Sequence, residues 1–221
     1  MKAKVLKAEN ISPTAKLFTL EVVSGEFSFV PGQYTSFSVN GAIRTYSICS
    51  LPEELPRFEL CVRQLHTGVG TNFLNQNVGR EIELTQPAGD FVIGGSPSPI
   101  LFLVSGTGIA PVRPMLKDYL QKNPEADIEL YYTFKGEKEF LFREELEEME
   151  RKYGNFKVAT SLSRVPSLAS LRRGGRDISP RQGRRGELVH LVGSPAFVGQ
   201  TLQELNELGY NRQVIKTDAW E

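Results

Sequence analysis

Apolar and polar positions change rhythm near residue 95. Before it, short runs rich in β-branched and aromatic residues recur: Lys4–Ala8, Lys16–Val23, Tyr34–Val39, Arg44–Ser47, Phe58–Arg63 and Glu81–Gln86. Such runs predict strands with one face turned inward. Pro31-Gly32, Asn40-Gly41 and Pro87-Ala88-Gly89-Asp90 punctuate them as turns. Short strands at this spacing predict a small antiparallel β-barrel or sandwich over residues 1–95.

Gly94-Gly95-Ser96-Pro97-Ser98-Pro99 breaks the pattern as a linker does. Beyond it, strands and helices alternate. Strands are predicted over Ile100–Val104, Ile128–Thr133, Phe156–Thr160 and Leu188–Val192, with Val214–Lys216 closing the sheet. Helices are predicted over Pro111–Gln121, Phe140–Lys152 and Pro195–Leu208. This alternation predicts a parallel sheet with helices on its faces over residues 96–221. The expected architecture is therefore two domains, a β-barrel followed by an α/β sheet.

The junction after Ile100–Val104 carries chemistry. It reads Ser105-Gly106-Thr107-Gly108-Ile109-Ala110-Pro111 and opens an amphipathic stretch from Val112 to Leu120. Glycines let a backbone turn tightly and approach an anion. The helix that follows points free N–H groups and its positive dipole end at that anion. Pro111 suits the first helical position, where a missing N–H costs nothing. Gly193-Ser194-Pro195 stands at the end of another predicted strand, and ligands of such sheets lie beyond carboxyl ends.

Charge narrows the partners. Lys plus Arg, 26 residues, balance 26 Asp plus Glu. No basic field points to nucleic acid or a membrane surface. The longest aliphatic-aromatic run is far short of the ~20 residues that span a bilayer. The N-terminus has no apolar stretch of the secretory kind, so the expected location is cytoplasmic. Cys49 and Cys61 are too few for a disulfide framework or a four-thiolate cluster and read as core-filling residues. His66 and His190 lie apart and no metal site is expected. The acidic run Glu144–Glu150 reads as a solvated helix face. The arginine-rich segment from Arg164 to Arg185 reads either as a solvated loop or as an anion-binding one.

A second anion site stands upstream. Arg44-Thr45-Tyr46-Ser47 offers a guanidinium fork for phosphate, an aromatic face and a hydroxyl. Strand alternation puts Arg44 and Tyr46 on one face and Thr45 and Ser47 on the other. Thr67-Gly68-Val69-Gly70-Thr71 follows, where Thr71 is expected to cap a short helix whose N-terminus takes a further phosphate oxygen.

With both sites in order, the chain resembles the ferredoxin–NADP reductase superfamily of flavoproteins, from Pro31-Gly32-Gln33-Tyr34 to its end. The resemblance implies that Arg44 holds the flavin phosphate, with Thr45 in the same motif. It implies that Tyr46 packs on the isoalloxazine and that Ser47 hydrogen-bonds near its N5. Gly68, Gly70 and Thr71 resemble the second flavin-phosphate site, and Val62 is placed with the cofactor-binding residues. Pro87-Ala88-Gly89-Asp90-Phe91 resembles the segment that closes the flavin domain. Gly106, Thr107, Gly108 and Pro111 match the nicotinamide-nucleotide pyrophosphate motif. Ser163-Arg164 resembles the pair that grips the 2′-phosphate of NADP, and Gly193 and Pro195 belong to the last nucleotide-side turn.

The implied activity is hydride transfer from nicotinamide C4 to flavin N5. Electrons then go to a separate ferredoxin, flavodoxin or oxygenase component. The implied cofactors are FAD and NADP, with NAD and FMN still open. No acid stands at Phe134-Lys135-Gly136, where NAD-specific sheets carry one, so NADP is favoured. Asp218 falls near the place of a family acid beside the flavin. Trp220 either covers the flavin or packs elsewhere. The chain departs from the family at Val192, where Cys-Gly-x-Pro is common and this sequence reads Val192-Gly193-Ser194-Pro195. The lost thiol favours a second possibility, a flavin-binding subunit with weak hydride transfer. A free-flavin reductase is a third.

Overall fold

Hydrogen-bonded strand ladders dominate the regular structure of the first 93 residues. The structure is a computed structural model that describes residues 1–64, 68–94, 99–162 and 187–219. By its internal contacts the chain divides into two units. One contains Met1–Ile93 with Ala110–Asp118, the other Gly94–Ile109 with Tyr119–Glu221.

In the first unit, β1 (Lys2–Ser12), β2 (Ala15–Ser24), β5 (Arg57–Arg63) and β6 (Glu81–Glu83) form an antiparallel sheet in the order β5-β2-β1-β6. β3 (Tyr34–Val39) and β4 (Ala42–Ser47) form a hairpin. Its two-residue loop, Asn40-Gly41, has φ of 52° and 79°, the paired positive values of the tight hairpin turn. Two short junctions join hairpin and sheet. The Cys49 N–H donates to the Glu59 carbonyl at 2.7 Å beside an Ile48–Leu60 bridge. On the other side, the Thr85 N–H donates to the Ser36 carbonyl at 2.8 Å, and Tyr34 and Ala88 exchange two bonds of 2.9 Å. The strands thereby close on themselves, and Val5, Phe18, Phe37, Phe58, Leu60 and Leu74 fill the interior.

The second unit is a parallel sheet in the order β11-β10-β7-β8-β9. Its strands are β7 (Ile100–Ser105), β8 (Ile128–Phe134), β9 (Phe156–Leu162), β10 (Leu188–Gly193) and β11 (Ile215–Ala219). Ile100 to Val104 are all buried, as a central parallel strand covered on both faces requires. The helices are α1 (Val69–Gln76), α2 (Ile109–Lys122), α3 (Arg143–Lys152) and α4 (Pro195–Glu207). Leu101, Tyr131, Leu191, Phe197 and Leu205 belong to one core cluster, which seats α4 on the sheet. No described helix is long and apolar enough to cross a membrane.

Several boundaries differ from expectation. β1 runs eleven residues, well beyond Lys4–Ala8. β6 stops at Glu83, because the Leu84 and Thr85 N–H groups turn to the carbonyls of Met1 and Ser36. α2 starts at Ile109, after a tight 3-10 turn over Gly106–Gly108, so Pro111 is its third residue and not its first. Its missing N–H still falls among the four that a helix start leaves unbonded. α3 starts at Arg143 and not at Phe140, because Phe142 takes a left-handed φ of 55°. The Phe140 ring is spent on Phe134, stacked at 4.9 Å.

α4 begins with Ser194, whose Oγ accepts from the Phe197 N–H at 3.3 Å, and Pro195 fills the first helical position. Ser194→Ala is expected to cost about 0.5–2 kcal/mol and Ser194→Gly only a few tenths. Thermal or urea denaturation of the two variants checks the order.

Candidate functional site

β4 carries Arg44-Thr45-Tyr46-Ser47, in register with Phe37, Ser36, Thr35 and Tyr34 of β3. Arg44 keeps its guanidinium near the surface, where Nη1 donates to the Ile43 carbonyl at 3.1 Å. The Thr45 hydroxyl shares a 2.9 Å hydrogen bond with Ser36. Tyr46 stacks on Phe37 at 5.3 Å, and Phe37 stacks on Phe73 of α1 at 5.2 Å. Burial raises the Tyr46 pKa and the Arg44 charge opposes it. The phenol is therefore neutral near pH 7 and can donate or accept a hydrogen bond.

The start of α1 meets this strand. A Cβ built on Gly70 falls 1.8 Å from the Tyr46 hydroxyl oxygen, so only glycine leaves room for the ring. Gly68, not Thr71, occupies the position before the first helical residue. Thr71 is the third residue of α1 and is buried, and its hydroxyl donates to the Arg63 carbonyl at 3.1 Å. The expected cap is thus corrected: the hydroxyl ties helix to strand, and the helix start is left with backbone N–H groups for an anion. Val62 is 2 % exposed and its side chain belongs to the core. A cofactor contact at Val62 would therefore be made by its backbone.

In the second unit the sheet order reverses between β7 and β10. The chain moves from β7 outward to β8 and β9, then returns to β10 and β11. Both glycine turns stand at the carboxyl ends of these two neighbours, where sheets of this kind take ligands. A Cβ on Gly108 would fall 2.8 Å from the Val192 carbonyl oxygen. Gly193 is packed against Phe197 and Ser105 in the same way. The Tyr132 hydroxyl donates to the Gly106 carbonyl at 2.9 Å and fixes the first turn from β8. Thr107 sits half-buried in that turn. Asp218 pairs in register with Val192, and Ala219 with Gly193, so the acid lies at the same end of the sheet. Val192 is fully buried.

The first unit thus brings together Arg44, Tyr46, Ser47, Gly68 and Gly70, and the second Gly106, Thr107, Gly108, Gly193, Pro195 and Asp218. Ser163, Arg164, Trp220 and the rest of the Arg164–Arg185 segment lie outside the described residues, as do Thr67 and His66. Cys49 and Cys61 are buried free thiols in the first unit. A hydrogen bond with Cys49, together with burial, pushes the Cys61 thiol well above its ordinary pKa. Both therefore fill the core, Cys61 within β5 and Cys49 just past the end of β4. Sequence reasoning missed Tyr132 and Arg113. The signal for each was a polar group inside an otherwise apolar run, Leu130-Tyr131-Tyr132 and Ile109-Ala110-Pro111-Val112-Arg113.

The backbone cradles fit the phosphate groups of two dinucleotides, since each offers a helix start with bare glycine beside it. An oxidoreductase FAD-binding domain family model matches residues 2–93, and an oxidoreductase NAD-binding domain family model matches residues 102–176. The chain is similar to ferredoxin–NADP reductase B of Sorangium cellulosum, 31% identical over 237 residues, with 99% of this chain and 97% of that protein covered. It is similar to the toluate 1,2-dioxygenase electron transfer component of Pseudomonas putida, 28% identical over 83% of this chain and 56% of that protein. Among solved structures, a cytochrome P450 reductase of Amycolatopsis matches with a TM-score of 0.85 at 22% identity, over 99% of this chain and 69% of that one. The FAD/NAD binding domain of a nitric oxide dioxygenase from Vibrio cholerae matches at 0.82 and 21%, over 99% and 98%. At these identities the structures speak to fold alone.

Gly70→Ala forces the Tyr46 ring aside and is expected to lower FAD content, read as visible absorbance per protein after saturation with FAD. Arg44→Ala is expected to weaken FAD binding by about 1.5–3 kcal/mol, the scale of a hydrogen bond to a charged group. Titration by flavin fluorescence checks it, and unchanged affinity removes Arg44 from the phosphate site.

Proposed function

The chain belongs to the ferredoxin–NADP reductase superfamily and is an NAD(P)H-dependent flavoprotein reductase; from that premise we propose that it draws electrons from NADPH and passes them by way of FAD to a separate acceptor, a ferredoxin, a flavodoxin or an oxygenase component. The observation that carries this reading is the contact of Tyr46 with Gly70, which puts a ring-accepting surface beside a helix start suited to phosphate. Bound FAD supplies the exchange between a two-electron donor and one-electron acceptors.

The residues divide that work. Arg44 and the backbone N–H groups at Gly68–Thr71 hold the flavin phosphates. Tyr46 packs on the ring, and the Ser47 hydroxyl holds its polar edge. Gly106-Thr107-Gly108 takes the nucleotide pyrophosphate, and Gly193-Ser194-Pro195 shapes the nicotinamide side. Asp218 supplies a carboxyl at that end of the sheet. Ser163 and Arg164 grip the 2′-phosphate. NADPH is preferred to NADH because no acid stands at the tip of β8, where Lys135 is exposed. The chain spans about half the length of the toluate dioxygenase component, so that protein's acceptor does not carry over.

Val192 favours a second reading. A buried valine stands where the family commonly has a thiol near the reacting carbon. On this reading the protein is a flavin-binding subunit with slow hydride transfer.

Anaerobic mixing of the FAD-loaded protein with NADPH separates the two. Rapid bleaching of the flavin band, followed by its return on adding oxidised ferredoxin or flavodoxin, is the expected result. A yellow protein that stays oxidised for minutes supports the subunit and ends the reductase reading. Arg164→Ala is expected to weaken NADPH binding far more than NADH binding. Equal losses remove the 2′-phosphate role.

A further inference from the structure

Arg113 stands in the second turn of α2, four residues past the start of that helix. Its side chain is only 10% exposed, and long cations are seldom buried without a reason. The guanidinium does not turn to an anion site. Its Nη1 donates to the Glu59 carboxylate at 2.7 Å and to the Cys49 carbonyl at 2.9 Å. All three residues belong to the first unit, as does the whole segment Ala110–Asp118.

Cys49 lies two residues beyond Ser47, on the backbone that leaves β4. That backbone is tied along its length. The Ile48 N–H donates to the Gln33 carbonyl at 2.9 Å and the Cys49 N–H to the Glu59 carbonyl at 2.7 Å. The Ser50 hydroxyl accepts from the Glu59 N–H at 3.0 Å. These bonds hold the exit from β4 against β5. Arg113 adds the contact from α2, and it grips both members of the junction, a carbonyl on one side and a carboxylate on the other.

We propose that Arg113 is a positioning residue for the flavin site: its fork fixes the exit of β4, and so the placement of Tyr46 and Ser47, through the Cys49 carbonyl. The inference rests on the flavin roles proposed for those two residues. It is separable from the ion pair. Glu59 needs Arg113 for charge balance, because a carboxylate only 20% exposed is costly to leave alone, whereas replacing both partners of such a pair with apolar residues is often tolerated. The Cys49 carbonyl loses its donor in either case.

Arg113→Met and the double variant Arg113→Met/Glu59→Met distinguish the two roles. The single variant is expected to melt lower than wild type, and the double variant to recover most of that loss. Both are expected to show a shifted visible spectrum of bound FAD. In both, the rate at which NADPH bleaches the flavin, per flavin bound, is expected to fall roughly tenfold to a hundredfold, the scale of a displacement of about 1 Å. A double variant with wild-type spectrum and wild-type bleaching rate overturns the inference, whatever its melting point. A wild-type protein that binds no FAD overturns the functional reading and this inference together. A fast-bleaching wild type beside a slow, well-folded double variant supports both.

Discussion

Missing Cβ atoms set the spacing on which each proposed site depends. Gly108 lets the start of α2 press against the Val192 carbonyl, at a distance no side chain tolerates. That contact makes neighbours of two turns that lie some 85 residues apart in the chain, and they meet where the sheet order reverses. Tyr132 then holds Gly106 by its carbonyl, which leaves the turn's N–H groups for a ligand. Gly70 does the same for the first unit by admitting the Tyr46 hydroxyl. An added methyl at either position changes no charge and removes no hydrogen bond. It closes the space that lets backbone donors and an aromatic face come together.

Much of this was legible before any coordinates. The strand runs and the change of rhythm near residue 95 reflect burial, which hydrophobic pattern reports directly. What the pattern missed depended on side chains choosing distant partners. Phe140 and Leu141 fit a helix by periodicity, yet Phe140 is drawn to Phe134, and the helix waits until Arg143. Thr71 had the right type for a cap, but its hydroxyl found the Arg63 carbonyl. Leu84 and Thr85 look like strand, and their N–H groups go to two different partners that bend the chain away. Each is a tertiary bond overriding a local preference. None of these partners lies close enough in sequence for spacing to suggest it.

A consistent division of labour follows among the polar groups. The hydroxyls of Thr45 and Thr71, both within cofactor-like motifs, bond to Ser36 and Arg63 and so belong to the fold. Val62 belongs to the core. Anion binding in the proposed flavin site then falls to the Arg44 guanidinium and to backbone N–H groups. The backbone N–H groups bind phosphate without needing a particular rotamer, because the backbone is already fixed. Threonine therefore serves at 71 where serine is common in the family. On the proposed reading the helix start binds, and the Thr71 side chain only has to hold the helix in place.

The same logic bears on Val192. Its register neighbours across the sheet are Val104 and Asp218, and both valines are fully buried. The side chain helps seal the sheet, while its carbonyl presses on Gly108. A thiol at this position would have to leave that packing to reach a nicotinamide ring. With valine, the strand end offers a ring only backbone and the small Gly193. On the proposed reading, the rate then rests on effective molarity, which ranks among the larger contributions to catalysis. On the same reading, residues that fix strands and turns, such as Tyr132 and Arg113, matter more than they would beside a reactive thiol.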